Sequence, residues 1–307
     1  MLIIFVDAEL IKNGTSYLVS DNKLTGTSLE VLSFVVGGIQ QNQTFNDGID
    51  GRSRLYAGSE DKFRRITLNV KGDAYDIHDI SHLRNAINEL FDGEFYIREK
   101  RIKSVDVEYE SLGQKTGELN IGKPEYVNGQ QHKVVKVNAI DHEELLSNEF
   151  VVELETTDLP YGESVYTTKE LNDTGLSALA EKYGLVDGID DEKTQYVFTE
   201  NTFSVWNAGN VTVEPESMYI NILFWYCSIP DGKMTIKNLT TGDVLEINRT
   251  ENRRHVRQDG IILTVGGVNR FRDTNRRFIS LAPGDNRFEI TGATFDEARI
   301  DFKYYYK

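Results

Sequence analysis

His78 and His82 have the spacing in this chain that most resembles a catalytic motif. Two histidines four residues apart lie on one face of a helix, and helical zinc proteases use such a pair as metal ligands with a glutamate between them as base. Here Asp79 follows the first histidine, and no third ligand lies nearby in the sequence. The sequence therefore favours two solvated histidines at the start of a helix over a zinc site.

Residues 187–192 are acidic and offer the oxygen ligands that Ca²⁺ prefers, but they lack the full spacing of a calcium loop, so we expect a solvated turn. The chain has no phosphate-binding loop, no GxGxxG after a strand, no CxxC and no GxSxG. No two carboxylates stand out as a glycosidase pair. We therefore name no catalytic, cofactor-binding or metal-binding residue, and we predict a protein that is not an enzyme and needs no cofactor.

Arginines are concentrated between positions 249 and 277, where there are eight of them and no lysine. The planar guanidinium group can form two parallel hydrogen bonds to a carboxylate, which suits an interface with an acidic surface. The alternative is a solvated hairpin face with local ion pairs, and the sequence leaves both interpretations open. The candidate interface residues in this segment are Arg253, Arg254, Arg270 and Arg272.

The 307-residue chain has a formal net charge of −15, which argues against a basic nucleic-acid groove and against a polybasic membrane contact. Its single cysteine, Cys227, lies in an apolar run and is expected to be a small buried hydrophobe. The N-terminus lacks the basic region of a signal peptide, and the apolar runs are too short to span a bilayer. We expect synthesis in the cytoplasm and no membrane insertion.

The first 155 residues read as many strands and one helix. Ile66, Leu68 and Val70 alternate with polar residues, which predicts a strand, and apolar residues at steps of three and four predict a helix over 79–91. Further strand-like runs cover 95–99, 102–109, 134–137 and 150–154. Because most of these runs alternate, we predict an α+β, mainly β fold with antiparallel pairing. The polar stretch 40–60 is either a functional loop or a plain hairpin arm.

Residues 160–200 contain turn residues, a short helical pattern and an acidic segment, and we expect a connector or arm. Beyond Tyr196 short strands alternate with glycine-containing turns, which predicts a β-sandwich. The expected strands cover 203–206, 219–229, 233–237, 244–247, 261–265, 277–281, 287–290 and 298–306. Trp225 lies in the most apolar of these strands, so we expect it in the core.

Several patterns together resemble the distal tail proteins of long-tailed, non-contractile phages (siphoviruses). Asp50-Gly51-Arg52 precedes a strand, and the helix ending at Phe91 runs into Phe95-Tyr96-Ile97. An arm-like segment follows Asp158-Leu159-Pro160-Tyr161, where an inserted leucine departs from the usual Asp-Pro-Tyr. Trp206-Asn207-Ala208-Gly209-Asn210 and Leu281-Ala282-Pro283-Gly284-Asp285-Asn286 complete a match in order and spacing across nearly the whole chain.

The resemblance implies an N-terminal ring-forming domain over 1–158, a connector over 159–200 and a galectin-like or carbohydrate-module-like β-sandwich over 201–307. It implies a structural virion protein that forms a homo-hexameric ring at the tail tip and joins the tail tube protein to the tip or hub protein. The sandwich would dock receptor-binding or other baseplate proteins, and DNA would pass through the lumen as a non-specific passenger. In such a ring the stretch 40–60, with Asp50, Gly51 and Arg52, is a candidate contact with the next subunit.

A carbohydrate-binding module is the alternative function, in which the C-terminal sandwich contacts a glycan on the host surface. Sugar binding would use exposed aromatic residues on a concave face. Trp206, Trp225 and the tyrosine run 304–306 are the candidates in the sequence.

Overall fold

The computed structural model describes residues 6–47, 53–102, 107–108, 120–121, 124–141, 145–184 and 189–307. The chain divides into two compact units, residues 1–162 and 163–307. Both consist mainly of antiparallel β-strands, as the alternating patterns predict. None of the helices in the described ranges is long and apolar enough to cross a membrane.

The described residues of the first unit form ten strands and one helix. They are β1 Val6–Lys12, β2 Thr15–Leu18, β3 Leu29–Asp47, β4 Arg54–Asp73, α1 Asp79–Leu90, β5 Glu94–Arg101, β6 Val107–Glu108, β7 Asn120–Ile121, β8 Glu125–Tyr126, β9 Gln130–Lys136 and β10 Ser147–Thr156. Helix α1 and strands β4, β5, β9 and β10 confirm the predicted elements. Most of the strand expected over 102–109 lies outside the described residues.

The main sheet of the first unit has the antiparallel order β2-β1-β5-β9-β10-β4-β3. Alternation along β4 turns Ile66, Leu68 and Val70 into one core, and Ile87 and Leu90 of α1 are buried in the same cluster. Each such side chain contributes about 1.5–3 kcal/mol when fully buried. Gly93, with φ +70°, follows the helix in a conformation that favours glycine. The amphipathic stripe of α1 therefore closes one face of the sheet.

In the described part of the second unit there are twelve strands, two α-helices and the 3₁₀ turns Asp191–Lys193 and Phe271–Asp273. They are β11 Gly162–Ser164, α2 Thr168–Thr174, α3 Leu176–Tyr183, β12 Val197–Phe198, β13 Thr202–Asn207, β14 Ile220–Ile229, β15 Met234–Asn238, β16 Asp243–Ile247, β17 Glu251–Asp259, β18 Ile262–Val265, β19 Val268–Asn269, β20 Gly284–Thr291, β21 Glu297–Phe302 and β22 Tyr305–Tyr306. Strand β11 begins at the last residue of the first unit.

Two sheets form the predicted sandwich in the second unit. One has the order β12-β21-β14-β17-β18-β19 and the other the order β13-β20-β15-β16. Ile222 and Phe224 of the first sheet and Ile236 and Leu245 of the second line one small interior space. The sandwich therefore has a shared core, in which Cys227 is also fully buried as expected. Burial raises the pKa of the Cys227 thiol to about 12, so the thiol stays protonated.

Residues 163–200 belong to the second unit, which differs from the expected separate connector. Tyr166, Leu171 and Tyr196 are buried, and the hydroxyls of Tyr196 and Tyr304 lie 2.5 Å apart. The Thr168 hydroxyl donates to the Ile300 carbonyl and accepts from the Phe302 amide. These aromatic side chains need a core to cover them, and the composition of the segment alone does not show that the sandwich provides it.

Residues 251–259 of the arginine-rich segment form strand β17 in the middle of the six-stranded sheet, and no strand was predicted over these residues. Conversely, the strand expected over 277–281 is wrong, because the backbone groups of Ile279 and Ser280 bond to side chains and only Leu281 forms a backbone bridge, with Val213. The Gln258 side chain donates to the Ile279 carbonyl and accepts from the Ile279 amide, both at 3.1 Å. The Asp243 carboxylate accepts from the Ser280 amide, and the Asn238 side chain donates to the Ser280 carbonyl.

The two C-terminal motifs that carry the resemblance meet in the structure. The buried Asn207 side chain donates to the carbonyls of Val211 and Leu281, at 3.1 and 3.3 Å. The buried Asn286 side chain donates to the Ala282 carbonyl at 2.7 Å and accepts from the Ala282 amide at 2.8 Å. Buried amides that satisfy backbone groups in this way hold loops in one conformation.

Candidate functional site

The hairpin of β3 and β4 extends beyond the sheet to which it belongs. The two strands pair from Leu29↔Gly72 to Asp47↔Arg54, but β10 covers β4 only between Arg65 and Asp73. Residues 39–47 and 54–64, which we call the distal ribbon, thus have no third strand within the described chain. At about 3.3 Å per residue, nine paired residues extend roughly 30 Å.

Apolar side chains on the distal ribbon are exposed to solvent. Leu55 and Tyr56 are 59% and 60% exposed. Near the end of the described ribbon, Phe45 packs edge-on against Tyr56 with ring centroids 5.7 Å apart, and the Arg54 guanidinium lies 3.7 Å from the Phe45 ring centroid. A lone two-stranded hairpin is marginally stable in water, because one ladder of hydrogen bonds and little burial oppose its chain entropy. The ribbon has the character of an interaction surface.

The root of the ribbon is buried and well bonded. The Tyr161 hydroxyl donates to the Asp61 carboxylate at 2.8 Å, and the Arg64 amide donates to the Thr156 hydroxyl at 2.9 Å. Arg64 Nη1 lies 3.3 Å from His132 Nε2. The distal ribbon therefore projects from a fixed base.

These contacts shift the protonation equilibria of the root. Burial and the neighbouring Arg64 charge lower the pKa of His132 to about 4, so this imidazole is neutral at pH 7. Burial and the bond to Asp61 raise the pKa of Tyr161 to about 12. Burial lowers the pKa of Arg64, an effect that the charge of Asp61 opposes.

Glycine marks the point where the hairpin leaves the core. A Cβ atom on Gly37 would lie 2.9 Å from the Arg65 carbonyl oxygen, closer than a side chain tolerates. The pairing register shifts between Val36 and Ile39, and again near Gln40 and Thr44. Such β-bulges bend and twist a strand. Residues 48–52 lie outside the described residues, and these include the candidates Asp50, Gly51 and Arg52.

The structure places the other candidates on one part of the sandwich. Arg253 and Arg254 are exposed neighbours on β17, whereas Arg270 and Arg272 follow β19. Arg253 pairs with Asp296 at 3.0 Å, and Arg272 lies 3.9 Å from Asp273. Nε of the half-buried Arg270 has no hydrogen-bond partner among the residues that the structure describes. Two of the four candidate arginines thus form local ion pairs, and the hypothesis that these arginines form an interface stays a prediction.

The motifs with possible metal chemistry are not assembled into sites. His78 and His82 are exposed at the start of α1, where the Asp76 carboxylate accepts from the amides of His78 and Asp79. In the acidic segment, Asp190 caps the 3₁₀ turn by accepting from the Glu192 amide at 3.2 Å. Across the described ranges, no group of three or more His, Cys, Asp or Glu side chains could hold a metal ion.

No protein-family model and no curated protein matches this chain. Among solved structures, the Dit (gp 19.1) protein of phage SPP1, described as a paradigm of the hub adsorption apparatus in Gram-positive infecting phages, matches with a TM-score of 0.59. It is 10% identical, and the match covers 98% of this chain and 99% of that one.

Chains of the phage P2 baseplate in its activated conformation match more weakly. The structure with Ca gives a TM-score of 0.37 at 9% identity, covering 97% of this chain and 98% of that one. The structure with Sr gives 0.36 at 9% identity, covering 97% of each. The fold comparison therefore rests on the SPP1 protein, whose fold this chain shares along its length, as the resemblance in the sequence implies.

Proposed function

We propose that this protein is a structural virion protein that forms a ring, with six subunits, at the distal end of a phage tail. The ring joins the tail tube to the tip or baseplate. The observation that carries the proposal is the distal ribbon, a hairpin arm with exposed apolar side chains and no third strand within the described chain. The shared fold with the SPP1 hub protein supports it.

A closed ring needs two different surfaces on each subunit, which meet head to tail. A ribbon of roughly 30 Å reaches beyond its own sheet, and its unpaired backbone edge and apolar side chains can complete a sheet in the next subunit. The same contact would cover Leu55 and Tyr56. Assembly thus explains why the distal ribbon has an unpaired backbone edge and exposed apolar side chains.

The remaining partners follow from a position at the tail tip. The ring contacts the tail tube protein on one side and the tip or hub protein on the other, and the sandwich docks receptor-binding or other baseplate proteins. DNA crosses the lumen without specific contacts, because a chain with a net charge of −15 repels the phosphate backbone. The protein acts without catalysis in the virion and is made in the cytoplasm of the bacterial host.

Light scattering and negative-stain images of the purified chain test the ring. We expect a mass near six chains and particles with a central hole. Replacing residues 43–58 by two glycines should give monomers that retain the fold of the second unit. A clean monomer of the intact chain at high concentration, or hexamers that survive the deletion, would contradict the proposal.

A point-mutation series separates the ribbon from exposed apolar residues in general. The double variant Leu55→Ser/Tyr56→Ser should weaken assembly, because it removes the apolar side chains that the next subunit covers. Ile261→Ser is the matched control, since Ile261 is 53% exposed and lies in a turn of the sandwich. Equal loss of assembly in both variants would assign the effect to exposed apolar residues in general and not to the ribbon.

A further inference from the structure

The outer face of the six-stranded sheet carries a cavity of about 560 Å³. Helix α2 forms one wall, and strands β12, β14, β17 and β21 contribute the rest. This volume lies within the range of about 300–1,000 Å³ that is typical of small-molecule sites. The side chains that bear on its chemistry are Lys169, Asp173, Asn221, Trp225, Arg257, Arg299 and Asp301.

Strand register arranges the floor of this cavity in rows. Asn221 is paired with Asp301 on one side and with Asp259 on the other, and Leu223 is flanked in the same way by Arg299 and Arg257. Trp225 stands opposite Glu297. Alternation along β14 turns Ile222 and Phe224 into the core and Asn221, Leu223 and Trp225 outward. The expectation that Trp225 lies in the core is therefore wrong.

A β-bulge adds aromatic surface beside the cavity. The register of β14 shifts between Phe224 and Cys227, and Tyr226 has a positive φ of 47°. The side chains of Trp225 and Tyr226 consequently both lie outside the core, whereas the next residue, Cys227, is buried in it. The His255 ring lies 4.3 Å from the Trp225 ring and 4.9 Å from the Tyr226 ring, between centroids. Bulges next to binding sites commonly redirect a side chain in this way.

Of the charged side chains at the cavity, all but Asp301 are paired with an opposite charge, and Asp301 is bonded to uncharged donors. Lys169 pairs with Asp173 at 2.7 Å, Arg257 with Asp259 at 2.8 Å and Arg299 with Glu297 at 2.5 Å. The Asp301 carboxylate accepts from the Tyr219 hydroxyl at 2.7 Å and from the Lys169 amide at 2.9 Å. A charged ligand would have to compete with these pairs, whereas a neutral ligand with hydroxyl groups can bond to them as they stand.

Two buried donors at the cavity lack an acceptor. Trp225 Nε1 and Arg299 Nε make no hydrogen bond within the described chain. The Arg299 guanidinium lies 5.2 Å from the centroid of the Trp225 ring, so the two groups form one corner of the cavity. Buried indole N–H groups usually find a partner, and an unsatisfied one calls for an explanation. Both atoms are themselves inaccessible to solvent, so a ligand oxygen would reach them only after the side chains of this corner move.

We propose that this cavity binds a neutral saccharide. A sugar ring presents apolar C–H faces together with hydroxyls that both donate and accept. The cavity offers the matching set, with the aromatic wall of Trp225, the apolar Leu223, the carboxylate of Asp301 and the amide of Asn221. The inference does not depend on ring formation, because all of these residues belong to the second unit.

The first experiment measures saturation-transfer NMR and tryptophan fluorescence of the full chain with maltotriose, cellotriose, chitotriose, mannotriose and lactose. Trigalacturonate and a triglutamate peptide serve as anionic probes. We expect at least one neutral sugar to bind and to change the tryptophan emission. Failure of all five neutral sugars, or binding of the anionic probes alone, overturns the proposal. Neither result bears on the ring, whose readout is the solution mass.

The second experiment locates the site with variants. Trp225→Ala and Asn221→Ala should weaken binding of the sugar found in the first experiment at least tenfold. Leu239→Ala is the control, because Leu239 is 51% exposed, follows strand β15 of the opposite sheet and should leave the affinity unchanged. Circular dichroism melting verifies folding, and Asn221→Ala, which changes a partly exposed side chain, decides the matter if Trp225→Ala does not fold. Unchanged affinity in a folded Trp225→Ala or Asn221→Ala variant overturns the assignment.

Discussion

The distal ribbon and strand β17 are both polar, yet they are stabilised differently. Strand β17 lies between β14 and β18, and its Val256 and Gln258 side chains are buried against the opposite sheet. The ribbon strands pair only with each other over 39–47 and 54–64 and expose most of their side chains. A polar strand can therefore be stable where its own chain covers it. Where the described chain does not cover a polar strand, as in the distal ribbon, we expect contacts with a second molecule to stabilise it.

Matched phenylalanine truncations should show this difference most strongly. Phe288 is fully buried in the sandwich and stacks on Phe203 at 5.1 Å, so Phe288→Ala should lower the free energy of unfolding by about 3–5 kcal/mol. Phe45→Ala in the ribbon should lower it by less than about 1 kcal/mol in dissociated subunits. Urea denaturation at concentrations that dissociate any assembly measures both values. Similar losses would mean that the ribbon is stabilised within its own subunit.

The buried histidine at the root should make the first unit sensitive to acid. The pKa of His132 is about 4 in the folded chain, below its ordinary value of 6.5. Between these pH values the unfolded chain binds a proton that the folded chain does not, so stability falls as the pH decreases from about 7 to 4. The shift corresponds to about 3 kcal/mol at most. Urea denaturation at pH 7.5, 6 and 4.5 measures it.

Comparison of variants isolates this effect from the carboxylates that titrate in the same range. His132→Gln should have a shallower loss of stability with acid than the wild-type chain, because its amide carries no titratable proton. If His132→Gln retains the full acid sensitivity, groups other than this imidazole are responsible.

Elements with one apolar face could be predicted from the sequence. The stripe of α1 and the alternation in β4 indicate both the element and the side that is buried. Strand β17 could not be predicted in this way. Val256 is its one buried apolar residue, and its other buried side chain, Gln258, bonds to Ile279, which lies 21 positions further along the chain. The apolar residues of 277–281 indicate a strand, whereas side-chain amides and a carboxylate bond to the backbone groups of Ile279 and Ser280.

The interaction surfaces were only partly predictable for a related reason. Sequence indicates that 40–60 is polar, but the isolation of the ribbon depends on where β10 ends, which is a property of the tertiary fold. Likewise, a bulge at Tyr226 puts two successive aromatic residues outside the core, and simple alternation cannot foresee it. Arginine clustering was visible in the sequence, whereas the carboxylates that pair with Arg253 and Arg257 were not.

Matched glutamine truncations form a smaller test of the same comparison. Gln258→Ala should cost about 2 kcal/mol, because it leaves the buried amide and carbonyl of Ile279 without partners. Gln41→Ala in the ribbon removes an exposed bond to Asp61 and should change stability by less than about 0.5 kcal/mol. Thermal unfolding of both variants measures this. A negligible cost for Gln258→Ala would show that water replaces the buried amide.

Charge reversal on β17 should have the smallest effect on the fold and tests the arginine interface. Arg253→Glu/Arg254→Glu removes the pair with Asp296, whose partners are both more than half exposed, so the cost should stay below about 1 kcal/mol. If these arginines face an acidic surface of another subunit or baseplate protein, the variant should nevertheless lose assembly or co-purification with that partner. Arg287→Glu, exposed on the opposite sheet, is the control. Unchanged mass and unchanged partner binding would leave Arg253 and Arg254 as solvated charges, with a local ion pair between Arg253 and Asp296.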